Sequence, residues 1–233
     1  MIVITGPGRS GTSALAEVYK QLGFDPGGAW VERTRAGLED PRFFSLNNRL
    51  AAQLGMTMLK RFPRRAPAAD DDEVTFEPAD WNRLDGVVAH NRDAMLEAAR
   101  STEVVKDPRF SYLLPVWIAA GASIDHVVIT NRDMDAMVAS RLAAGQTEMS
   151  ASQVRNSLTY ALDVVSTAVE EHDIPHTWLR FPDFLGDPAA LYDVLPFPAQ
   201  VERDRFTEVA MAVFDPGLVH DWPGRTASAR LTQ

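Results

Sequence analysis

The sequence predicts an α/β fold, a mostly parallel central sheet with helices on both faces, and three observations carry that expectation. Four short apolar runs, 1–5, 103–105, 125–130 and 176–181, have the length and near-continuous apolar character of strands buried on both faces. Helical periodicity fills the stretches between them, the alternation that a parallel sheet requires. A glycine-rich turn follows the first strand directly and opens the first helix, so chemistry is expected beyond the strands' C-terminal ends.

The elements follow in order. After the first strand, 13–22 carries Leu15, Val18, Tyr19 and Leu22 at helical spacing, and Gly23 supplies a stop. Helical patterns recur over 41–54 and 78–100, and 150–171 reads as a long helix with Val154, Leu158, Ala161, Val164, Val165 and Ala168 on one side. Between Lys60 and Glu77 the periodicity breaks into a basic block, a small apolar stretch and the acidic run Asp70–Glu73. This segment reads as a solvated loop insertion, with a lid over a second substrate as the alternative. The tail from Trp222 is polar and expected to be loosely held. No internal repeat is found, and 1–233 is expected to form one domain.

Composition narrows the function. At 233 residues, 45% hydrophobic and 24% charged, the chain can bury a full core. Its 23 basic and 32 acidic residues leave a net charge of −9, which disfavours a nucleic-acid backbone or an anionic membrane as general partner. Any anionic ligand must then be held by a local cluster. The absence of cysteine excludes disulfides and thiolate metal sites and suits a reducing compartment. No apolar stretch has the length of a signal peptide core or membrane span, so a soluble cytoplasmic protein is expected. Lysine occurs only at positions 20, 60 and 106, which draws attention to each.

The turn Gly6-Pro7-Gly8-Arg9-Ser10-Gly11-Thr12-Ser13 has the chemistry of an anion cradle. Glycines let successive backbone N–H groups point inward, the helix start adds its positive dipole end, and the hydroxyls of Ser10, Thr12 and Ser13 can add donors. Gly6, Gly11 and Ser13 fit the pattern G-x-x-x-x-G-K-[ST], but Thr12 occupies the lysine position and the cation moves to Arg9. A transferred γ-phosphate calls for that lysine together with Mg²⁺. A second segment, Asn131-Arg132 followed by a helix starting near Asp133, places residues 133, 136, 137 and 140 near one face. The Arg132 fork and the Ser140 hydroxyl can then address one phosphate, unless Arg132 instead pairs with Asp135 at the surface.

On these residues the chain resembles the PAPS-dependent sulfotransferase family, whose donor is 3′-phosphoadenosine 5′-phosphosulfate. Gly8-Arg9-Ser10-Gly11-Thr12-Ser13 is similar to the family's 5′-phosphosulfate loop, with Arg9 where many members carry lysine, and Arg132 with Ser140 resembles its 3′-phosphate segment. Lys106-Asp107-Pro108-Arg109 resembles a stretch common to bacterial members, and Phe181-Pro182-Asp183-Phe184-Leu185 is a weaker echo of a C-terminal one. The resemblance implies a sheet with a P-loop NTPase-like cofactor site and metal-free in-line transfer to a hydroxyl or amine. Two departures stand out: Pro108 replaces the histidine base of cytosolic members, and Ala14 replaces their adenine-stacking tryptophan. Phe181 is therefore considered for adenine, and Arg225 or Arg230 for the family's C-terminal contact to the 3′-phosphate.

The resemblance also implies roles. Arg9 and Lys106 would stabilise charge on the leaving group. Gly37-Leu38-Glu39-Asp40 is similar to the segment that carries a glutamate base in carbohydrate-directed members, so Glu39 is the expected base. A carboxylate stabilising the start of the helix at Pro41 is the other reading of Glu39, and Asp107 and Glu32 are alternative bases. Histidines at 90, 126, 172, 176 and 220 show no metal-ligand spacing, so no metal is expected. The acceptor is expected to be a small molecule, lipid or sugar. A small-metabolite kinase using Mg-ATP and a non-catalytic nucleotide-binding protein remain the alternatives.

Overall fold

A computed structural model describes residues 1–28, 30–31, 36–57, 75–143 and 149–214. Strand β1 (Ile2–Thr5) leads into α1 (Thr12–Gln21), and a short antiparallel pair, β2 (Trp30–Val31) and β3 (Ala36–Gly37), precedes α2 (Pro41–Gln53). Then come a 3-10 turn at Trp81–Arg83, α3 (Leu84–Arg100), β4 (Val104–Lys106), α4 (Phe110–Ala119), β5 (His126–Arg132), α5 (Met134–Ala143) and α6 (Ala151–Glu171). The chain closes with β6 (His176–Phe181), 3-10 turns at Asp183–Leu185 and Pro188–Asp193, and α7 (Arg203–Val213). All four strands read from the sequence are present, joined in one parallel sheet ordered β4-β1-β5-β6.

Strand alternation divides the core in two. Met1, Val3, Val105, Val127 and Ile129 point to the face packed by α2 through α6. Ile2, Ile4, Val104, Val128, Leu179 and Phe181 point to the other face, covered by α1, α7 and the two C-terminal 3-10 turns. The chain crosses from β1 to β4 on one side and then to β5 on the other, so the C-terminal end of β1 is a switch point where ligands of open α/β sheets bind. The glycine turn after β1 occupies that place.

Three sequence readings shift in detail. The third helix begins at Leu84, six residues later than expected, because Asp80 caps a 3-10 turn first by accepting from Asn82 N. Strand β4 ends on Lys106 rather than Val105, which brings the lysine into the sheet opposite Ile4. Helices α4 and α7 were not read from the sequence. In α4 the residues are apolar on every side and Pro115 interrupts the donor ladder, so no amphipathic stripe marks it, as expected for a helix buried all round. Most of the 60–77 insertion, the tail from Trp222, and Glu32, Arg225 and Arg230 lie outside the described residues.

No helix among the described residues is long and apolar enough to cross a membrane. Leu158 sits at the centre of the larger core, fully buried on α6, the helix that closes over α4. Leu158→Ala should lower unfolding stability by about 2–5 kcal/mol, the cost of lost burial plus a cavity, read as a lower urea midpoint with an unchanged slope.

Candidate functional site

The loop is fitted to β5 by contact. Gly6 has a φ of 146°, and a Cβ there would lie 2.1 Å from the Thr130 carbonyl oxygen. The Ser10 hydroxyl is buried and 2.7 Å from Thr130 Oγ1, which in turn donates to the Thr5 carbonyl. That hydroxyl is therefore committed to the sheet, and Ser10 can offer a ligand its backbone N–H rather than the side-chain donor expected of it. Arg9 adopts a left-handed φ of 79°, a strained conformation for a residue with a side chain. Gly11, also left-handed, caps α1 without a side-chain hydrogen bond, and the helix's first turn holds no acidic residue. By contrast Asp40 caps α2 and Ser150 caps α6.

Alternation along the strands fixes the face that each flanking residue takes. On β5, Val128, Thr130 and Arg132 share the face that carries the loop, and Arg132 lies opposite Phe181 of β6. The Arg132 guanidinium sits 5.2 Å from the centre of the Phe181 ring. Arg9 Nε donates to Ser140 Oγ of α5 at 3.0 Å, so loop and helix meet directly. Asp135 pairs with Arg155 on α6. Arg9 has its pKa pushed down from the usual guanidinium range, first by burial and then by the charge of Arg132.

Phe181 also has a second contact. A Cβ on Gly11 would fall 2.7 Å from its Cδ2, so the ring supports the loop from beneath. With 8% of the residue exposed, little ring face is left to stack on a base. Arg141 is a residue that the sequence reading missed. It is buried on α5, and its Nη2 lies 2.1 Å from where a Gly8 Cβ would stand. Burial pushes its pKa down, the neighbouring Arg9 and Arg109 push the same way, and Tyr112 opposes them. The available signal was periodicity: Met134, Met137 and Val138 form the apolar stripe of α5, and Arg141 is its next position.

At the end of β4 the same alternation separates two neighbours. Lys106 follows Val104 to the α1 face, and Asp107 turns to the α2 and α4 side. The Lys106 ammonium, buried, donates to Ser13 Oγ at 3.0 Å, the Gly37 carbonyl at 2.8 Å and Glu39 Oε1 at 2.8 Å. Burial pushes its pKa down, and the Glu39 carboxylate opposes that shift. Asp107 accepts from Arg109 Nη1 at 2.8 Å, from the Arg109 backbone at 2.9 Å and from Asn47 Nδ2 at 3.0 Å. So engaged in the interior, it is a structural carboxylate and a poor candidate base.

Glu39 is held in place by its own backbone. Gly28 approaches so closely that a Cβ would meet the Glu39 carbonyl oxygen at 2.3 Å, and buried Leu38 takes a left-handed φ of 63°. Asp40, not Glu39, accepts from Arg42 N at the start of α2, so the helix-stabilising reading of Glu39 passes to its neighbour. Loop, Lys106 and Glu39 form one connected array, which Ser140 joins through Arg9 and Arg132 through the Phe181 ring beneath Gly11. Among the described residues no group of three or more His, Cys, Asp or Glu side chains is placed to hold a metal ion.

The fit of the loop to β5 predicts a graded response to alanine. Gly6→Ala combines a left-handed φ with a backbone clash, whereas Gly23→Ala, at a φ of 100°, meets nothing within 4 Å. Gly6→Ala should lower the melting temperature several degrees more than Gly23→Ala, whose cost is confined to about 1 kcal/mol of dihedral strain. Compared with the models of known protein families and with curated protein sequences, the chain matches none.

Proposed function

We propose that this protein transfers a sulfuryl group from 3′-phosphoadenosine 5′-phosphosulfate to a hydroxyl or amine of a small-molecule, lipid or sugar acceptor. The observation that carries this reading is the Arg9–Ser140 hydrogen bond beside the uncapped start of α1, with the Arg132 charge acting on Arg9. It joins two anion-binding elements, separated by more than a hundred residues, into one cationic array. A ligand with phosphate groups at both ends of a ribose suits two such elements better than a single phosphate chain does. Burial that disfavours the charged form of Arg9 and Arg141 supports it further, because a bound anion relieves the crowding of like charges.

In this reading the backbone N–H groups from Gly8 to Ser13 and the side chains of Arg9 and Ser13 hold the 5′ end. Arg132 and Ser140 hold the 3′-phosphate, and Phe181 props both Arg132 and the loop. Lys106 faces the leaving oxygen and Glu39 takes the acceptor's proton. Stabilisation by fixed dipoles and cations suffices for an in-line displacement of this kind, so the reading gives no metal a role. Thr12 in place of the loop lysine argues against a γ-phosphate transfer with Mg²⁺.

Thermal-shift titration with adenosine 3′,5′-bisphosphate and with ADP, each in EDTA and in Mg²⁺, tests the assignment. The bisphosphate alone should stabilise the protein without metal, by about 2.7 kcal/mol at a hundred times its dissociation constant. Arg9→Ala and Arg132→Ala should each weaken that binding by about 10- to 100-fold, the worth of a charged hydrogen bond. A shift seen only with Mg²⁺ and ADP overturns the sulfotransferase reading in favour of a kinase.

A further inference from the structure

Beyond the end of β4 lies a set of hydrogen-bond donors that the proposed chemistry leaves unused. Arg109 is a buried arginine fixed from behind: Nη1 donates to Asp107 Oδ1 at 2.8 Å, Nε donates to Asn48 Oδ1 at 2.9 Å, and the guanidinium carbon lies 4.1 Å from the centre of the Phe44 ring. Its Nη2, with two N–H groups, has no partner among the described residues. Nor is it sealed in: Nη2 is not among the buried polar atoms that lack a hydrogen bond, so it reaches the surface although the side chain is only 6% exposed. A guanidinium held in its plane with one edge outward is preorganised for a bidentate partner.

Helix α2 completes the surroundings. Phe44, Ser45 and Asn48 share one side of it, with Ser45 exposed and the Phe44 ring 37% exposed. The Ser45 hydroxyl and Asn48 Nδ2 likewise have no partner among the described residues. The Asp107 carboxylate behind them is buried and committed to Arg109 and Asn47. Donors therefore gather beside an apolar ring, a combination that suits a carboxylate attached to an apolar or ring-shaped body. The patch also borders the proposed transfer site. Arg109 follows Lys106 by three residues, at most about 10 Å of chain, and the turn closed by Phe110 N on the Asp107 carbonyl shortens that separation. Burial lowers the pKa of both Lys106 and Arg141, and the Arg109 charge adds to each shift, so Arg109 lies within electrostatic reach of both.

We propose that Arg109, Asn48, Ser45 and the Phe44 ring receive the acceptor, and that the acceptor is a small hydroxylated molecule carrying a carboxylate. The assignment rests on the sulfuryl-transfer reading for the hydroxyl, which reaches toward Lys106 and the loop. The carboxylate takes the outward edge of Arg109 with Asn48 and Ser45, and the body of the molecule lies against Phe44. A neutral alcohol or sugar offers no pair of charged oxygens to match that fork, so the patch selects against it.

The probes are 4-hydroxyphenylacetate, 4-hydroxybenzoate and glucuronate, each beside its uncharged amide, titrated by NMR into the protein with and without adenosine 3′,5′-bisphosphate in EDTA. At least one acid should bind about tenfold more tightly than its amide. Arg109→Lys keeps the charge and loses the fork; it should remove about that factor for the acid while the amide and the bisphosphate stay within about twofold. Phe44→Ala should weaken acid and amide alike. Acids that bind no better than their amides overturn the proposal, as does a loss in Arg109→Lys that falls equally on acid and amide, the mark of a merely structural role. A loss that falls on the bisphosphate places Arg109 in the donor site and overturns it too.

If Arg109→Lys fails to fold, Ser45→Asp serves instead, since it sets a carboxylate beside the fork at an exposed position. Acid binding should then fall about tenfold with the amide unchanged, and undiminished acid binding overturns the assignment. Acid binding by a protein that ignores the bisphosphate removes the sulfuryl-transfer reading and keeps the carboxylate site. Bisphosphate binding without acid binding does the reverse.

Discussion

One ammonium group, withdrawn from water at the end of a central strand, holds the candidate site together. A buried lysine is costly unless its donors are satisfied, and Lys106 is satisfied only because the first turn of α1, the β3 carbonyl and Glu39 converge on it. That convergence depends on one register. Pairing Lys106 with Ile4 sends its side chain to the α1 face and the Asp107 carboxylate to the opposite one. Asp107 then ties Arg109 and Asn47 into the larger core, where Trp117 donates to Asn47. A slip of one residue would exchange the two charges and leave both without partners.

Much of this was legible in the sequence, for identifiable reasons. The buried strands announce themselves as short apolar runs, and the loop after β1 carries glycines where the backbone turns left-handed or touches β5. Helical periodicity suggested that Ser140 faces the same pocket as Arg132, and the contact that the structure gives Ser140 is with Arg9 of the loop. The rest depended on tertiary contact. Helix α4 has no polar face to reveal its period, because the sheet and the surrounding helices bury it. Whether Glu39 or Asp40 would cap α2 could not be read from two adjacent carboxylates; the approach of Gly28 to the Glu39 backbone belongs to packing. Ser10 likewise reads as a ligand donor until Thr130 is seen beside it.

The site concentrates positive charge in a protein whose surface is acidic overall. Arg9, Arg132, Arg141 and Lys106 gather around one turn of chain while the net charge is −9. In the proposed reading such crowding works against the stability of the free protein and favours the state with an anion bound. The acidic remainder keeps this region distinct from a general polyanion surface. On the proposed function, this balance of charge would suit a compact ligand carrying several negative charges better than a long charged polymer.

The close approach of Gly8 to Arg141 limits how this site can change over time. A Cβ at position 8 would stand 2.1 Å from Arg141 Nη2, so any side chain there requires the end of the arginine to shift. A shorter side chain at 141 removes that demand, whereas with the arginine in place a buried guanidinium has to move aside. The loop and α5, far apart in the chain, are bound to a common history at this point.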